Sequence, residues 1–194
     1  DDITALTEAG LSEGVCHARL ANDLQTRLGC PVLLVPRLYS DEISGDHLAY
    51  GNALNRHLSA DISVLLCGKT IIAKEVNLHG KAGQIGNMLA HPVVIWDNLY
   101  CNDYCPRRLF LAPYDGRDEA DPILLNGTGL YHTDKLLLSL MAGTDQKKAL
   151  TEAGVPEAIE PLLPFFGLPV FSSQTPPEMP DYSIDAALEA LEIL

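Results

Sequence analysis

Four short apolar runs recur along the chain at nearly regular spacing. Their sequences are PVLLVP, ISVLL, PVVIW and PILLN, at residues 31–36, 62–66, 92–96 and 122–126. None of them alternates apolar with polar residues, so each is predicted to be a strand buried on both faces, as in a parallel sheet. Successive runs start about 30 residues apart, which is the length of one β-α-β unit.

Helical patterns separate these runs and follow the last one. The clearest apolar face ends at Gly29, a residue type common at helix C-termini. It consists of Val15, Ala18, Ala21, Leu24 and Leu28. Further helices are predicted over 48–58, 85–89, 132–143 and 146–154. Alternating strands and helices indicate an α/β fold.

Polar residues at the strand ends decide between two α/β architectures. A doubly wound sheet gathers them at one switch point, usually beside a glycine-rich phosphate loop, and no such loop is present. Here polar residues follow strand after strand, which is typical of the mouth of a (β/α)8 barrel. Four strands alone would expose sheet edges. We therefore predict the C-terminal half of a TIM-type barrel, whose missing N-terminal half is a partner.

This prediction divides the chain into two parts. Residues 1–143 are expected to form the partial barrel, and 144–194 a helical and Pro-rich C-terminal extension. The acidic pair Asp1-Asp2 is then expected at the C-terminal end of a strand that precedes the chain. The alternative is that these two aspartates are a solvated helix start.

The composition of the chain excludes several classes of binding partner. A formal net charge of −13 argues against nucleic acid, which requires clustered Lys and Arg. No apolar run approaches the roughly 20 residues of a membrane span. The five scattered cysteines favour a reducing compartment such as the cytoplasm, and no metal or cofactor is expected. The six dispersed histidines are predicted to be surface or capping groups.

The acidic pair suggests a reaction. Two neighbouring carboxylates push their pKa values apart, so that one can remain a proton donor while the other is an anion. Cleavage of a glycosidic bond uses that division of labour. A cysteine nucleophile, with Cys101 near His91, is a weaker alternative because no oxyanion donor can be named.

Five segments then carry a resemblance to a known family. In order, DDI, PRLYSDE, DISVLLCGKTIIAKE, PVVIWDNLYCNDY and RLFLAPYDGR resemble the catalytic domain of the family 84 glycoside hydrolases. These are β-N-acetylglucosaminidases and include the protein O-GlcNAcases. The resemblance covers residues 1–143 and leaves 155–194 unmatched. It implies removal of β-linked N-acetylglucosamine (GlcNAc) from a glycoside or glycoprotein.

The resemblance also implies a mechanism and roles for the acidic pair. The 2-acetamido oxygen of the sugar attacks the anomeric carbon and forms an oxazoline, with overall retention. Asp1 would orient the acetamido group through its N–H. Asp2 would be the general acid for the leaving oxygen and then the base that activates water.

The same resemblance assigns substrate contacts along the later strands. Tyr39 would contact the acetamido group, and Trp96 would line the pocket for its methyl group. Asn98 would support the catalytic carboxylates, and Asp103 would bind the 4- and 6-hydroxyls together with Asn126. Asp97, Asn102 and Tyr104 are expected to shape the loop instead.

Two departures and one alternative remain. Cys67-Gly68-Lys69 stands where the family usually has Thr-Gly-Pro, so Cys67 would alter the pocket floor. Gly127 follows Asn126 where the family usually has proline. The alternative function is a catalytically inactive GlcNAc-binding or regulatory module, against which the intact acidic pair argues.

Overall fold

The structure is a computed structural model. It describes residues 2–73, 75–76, 83–102, 109–117, 122–166, 185 and 188–189. The side chains of residues 2, 3, 7, 164 and 165 are not described. Most of the Pro-rich and helical tail that the sequence predicts therefore lies outside the described residues.

The four predicted strands form one parallel sheet. They are β1 (Leu33–Leu34), β2 (Ser63–Leu66), β3 (Val93–Asp97) and β4 (Ile123–Leu125), and their order in the sheet is their order in the chain. Leu33 pairs with Ser63, and Val64 pairs with Val93. The α/β fold with parallel strands is thus confirmed, and it is compatible with part of a barrel.

Helices precede, separate and follow the strands along the chain, and five of them, α2 to α6, lie at the predicted places. Their bounds are α1 (Asp2–Glu8), α2 (Glu13–Leu28), α3 (His47–His57), α4 (Gly83–Met88), α5 (Tyr131–Met141), α6 (Gln146–Glu152) and α7 (Leu163–Phe166), with a 3₁₀ helix over Glu157–Leu162. Gly29 ends α2 with φ 65°, a left-handed conformation that glycine adopts without strain. No helix in the described part of the chain is long and apolar enough to cross a membrane.

The chain divides into two compact units. The first comprises residues 1–96 and 119–124, and the second comprises 97–118 and 125–194. In the first unit, residues of the sheet pack with residues of the first long helices in one core, which includes Ala18, Ala21, Leu54, Val64, Leu66 and Ile95. In the second unit, α5 and α6 share a core with the loop after β3, which includes Tyr100, Phe110, Leu137, Leu140 and Leu150. The predicted domain boundary at 143/144 stays a prediction.

The structure bears on two further predictions, one about the acidic pair Asp1-Asp2 and one about the histidines. Helix α1 begins at Asp2, as the solvated helix start predicts, whereas a strand before Asp1 stays a prediction. The surface prediction is wrong for His91, which is only 6% exposed just before β3. Neither ring nitrogen of His91 has a hydrogen-bond partner among the described residues, so this histidine is a buried residue and not a capping group, and no pattern in the sequence predicts its burial.

A buried tyrosine links the helices of the first unit. The Tyr50 hydroxyl accepts a hydrogen bond from the Arg37 backbone N–H (3.2 Å) and lies 2.6 Å from His17 Nδ1. Burial raises the pKa of Tyr50 from 10.0 to about 12. The folded state therefore favours the neutral phenol.

This pKa predicts an alkaline loss of stability. Because the folded pKa lies above the unfolded value, the contribution of Tyr50 is complete below pH 10 and is lost as the pH rises toward 12. The loss amounts to about 2–3 kcal/mol. Tyr50→Phe should make the unfolding free energy fall less steeply over this range in urea titrations. Tyr131→Phe, at a residue 77% exposed, is the control. Equal pH slopes for wild type and Tyr50→Phe would contradict the prediction.

Candidate active site

The chain segments that follow β1 and β2 run side by side beyond the sheet. The backbone N–H of Cys67 donates to the carbonyl of Tyr39 (2.8 Å), and that of Asp41 donates to the carbonyl of Gly68 (3.0 Å). Ser40 and Gly68 form an isolated parallel bridge between these bonds. Gly68 has φ 98°, which a side chain would strain. Parallel pairing thus continues past the strands and brings Tyr39 next to Cys67.

Two carboxylates after Tyr39 bind backbone N–H groups of other segments. Asp41 Oδ1 accepts from Gln84 N–H at the start of α4 (2.8 Å), and Glu42 Oε2 accepts from Ile71 N–H (2.7 Å). Gly83 has φ 72°, which strains a residue with a side chain, and a Cβ there would lie 2.7 Å from Asp41 Oδ1, so this position favours glycine. The acidic residues of the PRLYSDE segment therefore hold the backbone that carries Tyr39.

Aromatic rings meet at the ends of β1 and β3 within the first unit. The ring centroids of Tyr39 and Trp96 are 5.2 Å apart and the rings are tilted by 59°. Both side chains are half-buried, whereas Cys67 is buried. The structure thus brings together three of the predicted substrate-contacting residues, and their roles stay predictions.

Two amide side chains meet in the second unit. Asn126 Nδ2 donates to Asn98 Oδ1 (3.0 Å), and the Asn126 backbone N–H donates to the carbonyl of Asp97 (2.8 Å). Asn98 is buried and Asn126 is half-buried. A backbone bond and a side-chain bond therefore fix the two predicted residues against each other.

A buried ion pair stands beside Asn98. Asp97 Oδ2 accepts from Arg117 Nε (2.9 Å), and Asp97 Oδ1 accepts from Arg117 Nη2 (3.2 Å). The Tyr114 hydroxyl donates to Oδ2 (2.7 Å), and the Leu99 N–H donates to Oδ1 (3.0 Å). The side chains of Arg117 and Asp97 are only 3% and 1% exposed. Such a charge is tolerated in the interior because it is paired and hydrogen-bonded.

The RLFLAPYDGR segment supplies these partners and packs around a second tyrosine. The Tyr100 hydroxyl donates to the carbonyl of Ala112 (2.9 Å), and its ring lies 5.6 Å from that of Tyr114. Burial raises the pKa of Tyr100. Burial raises the pKa of Tyr114 as well, and its hydrogen bond to Asp97 adds to the rise. Both phenols are therefore neutral donors at physiological pH.

For three of the predicted site residues the structure describes no side chain. Asp1 and Asp103 lie outside the described residues. Asp2 is the first residue of α1, and its side chain is not described. The prediction that all of these carboxylates face one cleft together with Asn98 and Asn126 stays a prediction.

The partners of Asp97 are not predicted by the sequence. The sequence predicts that Asp97 shapes the loop, and it predicts no role for Tyr114 or Arg117. One signal was available: a carboxylate at the end of a buried strand needs a cation or several donors. Arg117 stands 20 residues further along the chain, which no periodic pattern connects to Asp97.

A family model and two curated relatives match this chain. The beta-N-acetylglucosaminidase family model matches residues 4–127, which include Tyr39, Cys67, Trp96, Asn98, Asp103 and Asn126 but neither Asp1 nor Asp2. The chain is 32% identical over 108 residues to protein O-GlcNAcase of Rattus norvegicus and 31% to that of Mus musculus. Each match covers 52% of this chain and 12% of the relative, so the chain spans a small part of these proteins. Because the family model accounts for more than half of the chain, the protein belongs to the β-N-acetylglucosaminidase family.

Proposed function

We propose that the protein that carries this chain removes terminal β-linked GlcNAc by a retaining, substrate-assisted mechanism. Membership of the β-N-acetylglucosaminidase family over residues 4–127 is the observation that carries this proposal. The matched relatives are named protein O-GlcNAcase. The substrate class is therefore a GlcNAc glycoside or a GlcNAc-bearing glycoprotein.

The proposed chemistry needs two enzyme carboxylates and no enzyme nucleophile. The acetamido oxygen of the substrate bonds to the anomeric carbon as the glycosidic bond breaks, and Asp2 protonates the leaving oxygen. Water then attacks the same carbon and reopens the oxazoline, while Asp2 takes its proton. Asp1 accepts a hydrogen bond from the acetamido N–H and stabilises the positive charge that develops as the oxazoline ring forms. Retention follows from two successive inversions.

Aromatic side chains are proposed to recognise the acetamido group. Trp96 presents a large apolar ring surface, which suits contact with a methyl group. The Tyr39 ring holds that indole from one side at 5.2 Å, and the Tyr39 hydroxyl is proposed to bind the acetamido oxygen. At the proposed pocket floor the family usually has a threonine hydroxyl. Cys67 places a buried thiol there, which is a weaker hydrogen-bond donor.

Amides and a carboxylate are proposed to bind the polar parts of the site. Asn98 would hold the catalytic carboxylates, and Asp103 would accept hydrogen bonds from the 4- and 6-hydroxyls beside Asn126. The bond from Asn126 Nδ2 to Asn98 Oδ1 supports these roles because it fixes which end of each amide faces its partner. An amide fixed in this way discriminates between donors and acceptors on a ligand.

The parallel sheet is proposed to be the C-terminal half of a TIM-type barrel. Helices follow three of its four strands in the described residues, as they do in such a barrel. The N-terminal half of the barrel would cover the remaining sheet edges and complete the site. Activity should therefore be tested in the full-length protein that contains both halves.

The proposed mechanism predicts a strict requirement for the acetamido group. The full-length protein should hydrolyse aryl β-N-acetylglucosaminides with retention and leave the matching aryl β-glucosides intact, since a glucoside cannot form the oxazoline. Release of the aryl group measures both rates, and NMR of the first-formed sugar reports its anomeric configuration. Equal rates on the two glycosides would contradict substrate assistance. GlcNAc binding without hydrolysis of either glycoside would favour the inactive binding module instead.

A further inference from the structure

We propose that Asp97 is a positioning residue that sets the orientation of Asn98, and that Tyr114 and Arg117 hold Asp97 in place for this role. The inference rests on the proposed function, in which Asn98 supports the catalytic carboxylates. It adds three residues outside the predicted site to the machinery of the same reaction. All of the contacts that carry it lie within the second unit.

The Asp97 carboxylate closes a turn around Asn98. Asp97 is the last residue of β3, and its Oδ1 accepts from the N–H of Leu99, two residues further along. An aspartate that bonds in this way fixes the backbone of the residue between the donor and itself. That residue is Asn98. The dihedral angles from which its side chain extends therefore depend on where the Asp97 carboxylate stands.

The Asp97 backbone holds Asn98 from a second direction. Its carbonyl accepts from the Asn126 N–H (2.8 Å), and Asn126 Nδ2 in turn donates to Asn98 Oδ1 (3.0 Å). The side chain of Asp97 therefore sets the Asn98 backbone, and its main chain sets the amide that contacts the Asn98 side chain. Both constraints change if the end of β3 shifts.

Arg117 and Tyr114 determine where the carboxylate stands. Each Asp97 oxygen accepts from one nitrogen of Arg117, and the Tyr114 hydroxyl donates a third hydrogen bond, to Oδ2. A guanidinium that binds both oxygens fixes the plane of the carboxylate as well as its position. Any other rotamer of Asp97 would leave buried charged groups without their partners, which is costly. The carboxylate thus has one well-defined orientation.

Two tyrosines allow a matched test of this role. Tyr114 and Tyr100 pack against each other, and each donates one hydroxyl hydrogen bond within the same core, at 2.7 and 2.9 Å. Only the Tyr114 hydroxyl binds Asp97, whereas the Tyr100 hydroxyl binds the carbonyl of Ala112. Tyr114→Phe and Tyr100→Phe therefore remove the same atom from the same cluster, and only the first loosens Asp97.

Kinetics in the full-length protein should separate the two variants. For an aryl GlcNAc glycoside, Tyr114→Phe should lower kcat/KM about 10- to 100-fold, mainly through kcat, since a misplaced supporting group affects the transition state most. Tyr100→Phe should lower it less than about twofold, although both variants should lose similar thermal stability. Equal kinetic losses at equal losses of Tm would overturn the positioning role.

Crystal structures of the two variants test the same inference without activity. Asn98 should change its side-chain rotamer or lose its contact with Asn126 in Tyr114→Phe and stay unchanged in Tyr100→Phe. An unchanged Asn98 in Tyr114→Phe would overturn the proposal, whatever the kinetics. A wild-type protein that hydrolyses no GlcNAc glycoside would refute the proposed function instead, and Asn98 in the two crystals would still decide whether Asp97 positions it.

Discussion

Asp2→Asn in the full-length protein is expected to lose the most activity on GlcNAc glycosides with poor leaving groups. The first proposed task of Asp2 is to protonate the leaving oxygen, and general acid catalysis contributes about 10²–10⁴-fold. Leaving groups of low pKa depart without that proton, so the loss on those substrates should be smaller. The dependence of kcat/KM on leaving-group pKa should therefore be steeper in Asp2→Asn than in wild type.

Asp1→Asn is the matched control for this experiment. It changes the same functional group at the neighbouring position, but its proposed partner is the acetamido nucleophile, which takes part with every leaving group. The loss of kcat/KM should accordingly be similar for all leaving groups. The dependence of kcat/KM on leaving-group pKa should then have the same slope as in wild type. A steeper slope for Asp1→Asn than for Asp2→Asn would show that the two roles are reversed. Full activity of both variants on every GlcNAc glycoside would exclude the catalytic roles proposed for Asp1 and Asp2.

The strands could be predicted because burial on both faces leaves a direct mark in the sequence. A strand inside a parallel sheet contacts apolar groups above and below, so an uninterrupted run such as ISVLL has few other stable environments. Its extent is harder to predict. The PVLLVP run forms only the two-residue strand Leu33–Leu34, because Pro31 and Pro36 carry no N–H for the sheet and because β1 lies at its edge.

The candidate site was predictable only where the residues stand at strand ends. Trp96 and Asn126 end predicted strands, Tyr39 and Asn98 come shortly after one, and the structure brings the four into two contacting pairs. The partners of Asp97 come from an irregular segment in which no periodicity relates position to direction. Pairing across such a segment depends on the folded loop. For this reason the sequence predicts that Asp97 shapes the loop but not that its carboxylate is the centre of a buried network.

The buried pair of Asp97 and Arg117 should also contribute more to the free energy of unfolding than the exposed ion pairs do. Arg117→Met keeps most of the side-chain volume but leaves the Asp97 carboxylate buried without its cation. Breaking a buried pair in this way costs about 3–5 kcal/mol. Urea unfolding followed by circular dichroism should show this decrease in the free energy of unfolding.

Two comparisons separate the effect of burial from the effect of charge. Arg27 Nε lies 2.7 Å from Asp23 Oδ2, but the two side chains are 74% and 54% exposed. Arg27→Met should therefore lower the free energy of unfolding by only about 0–1 kcal/mol. The double variant Asp97→Asn/Arg117→Met should be more stable than Arg117→Met alone, because it removes the unpaired charge as well as its partner. If the double variant were less stable than Arg117→Met by the full cost of Asp97→Asn, the two side chains would act independently. The salt bridge would then not be what stabilises the end of β3.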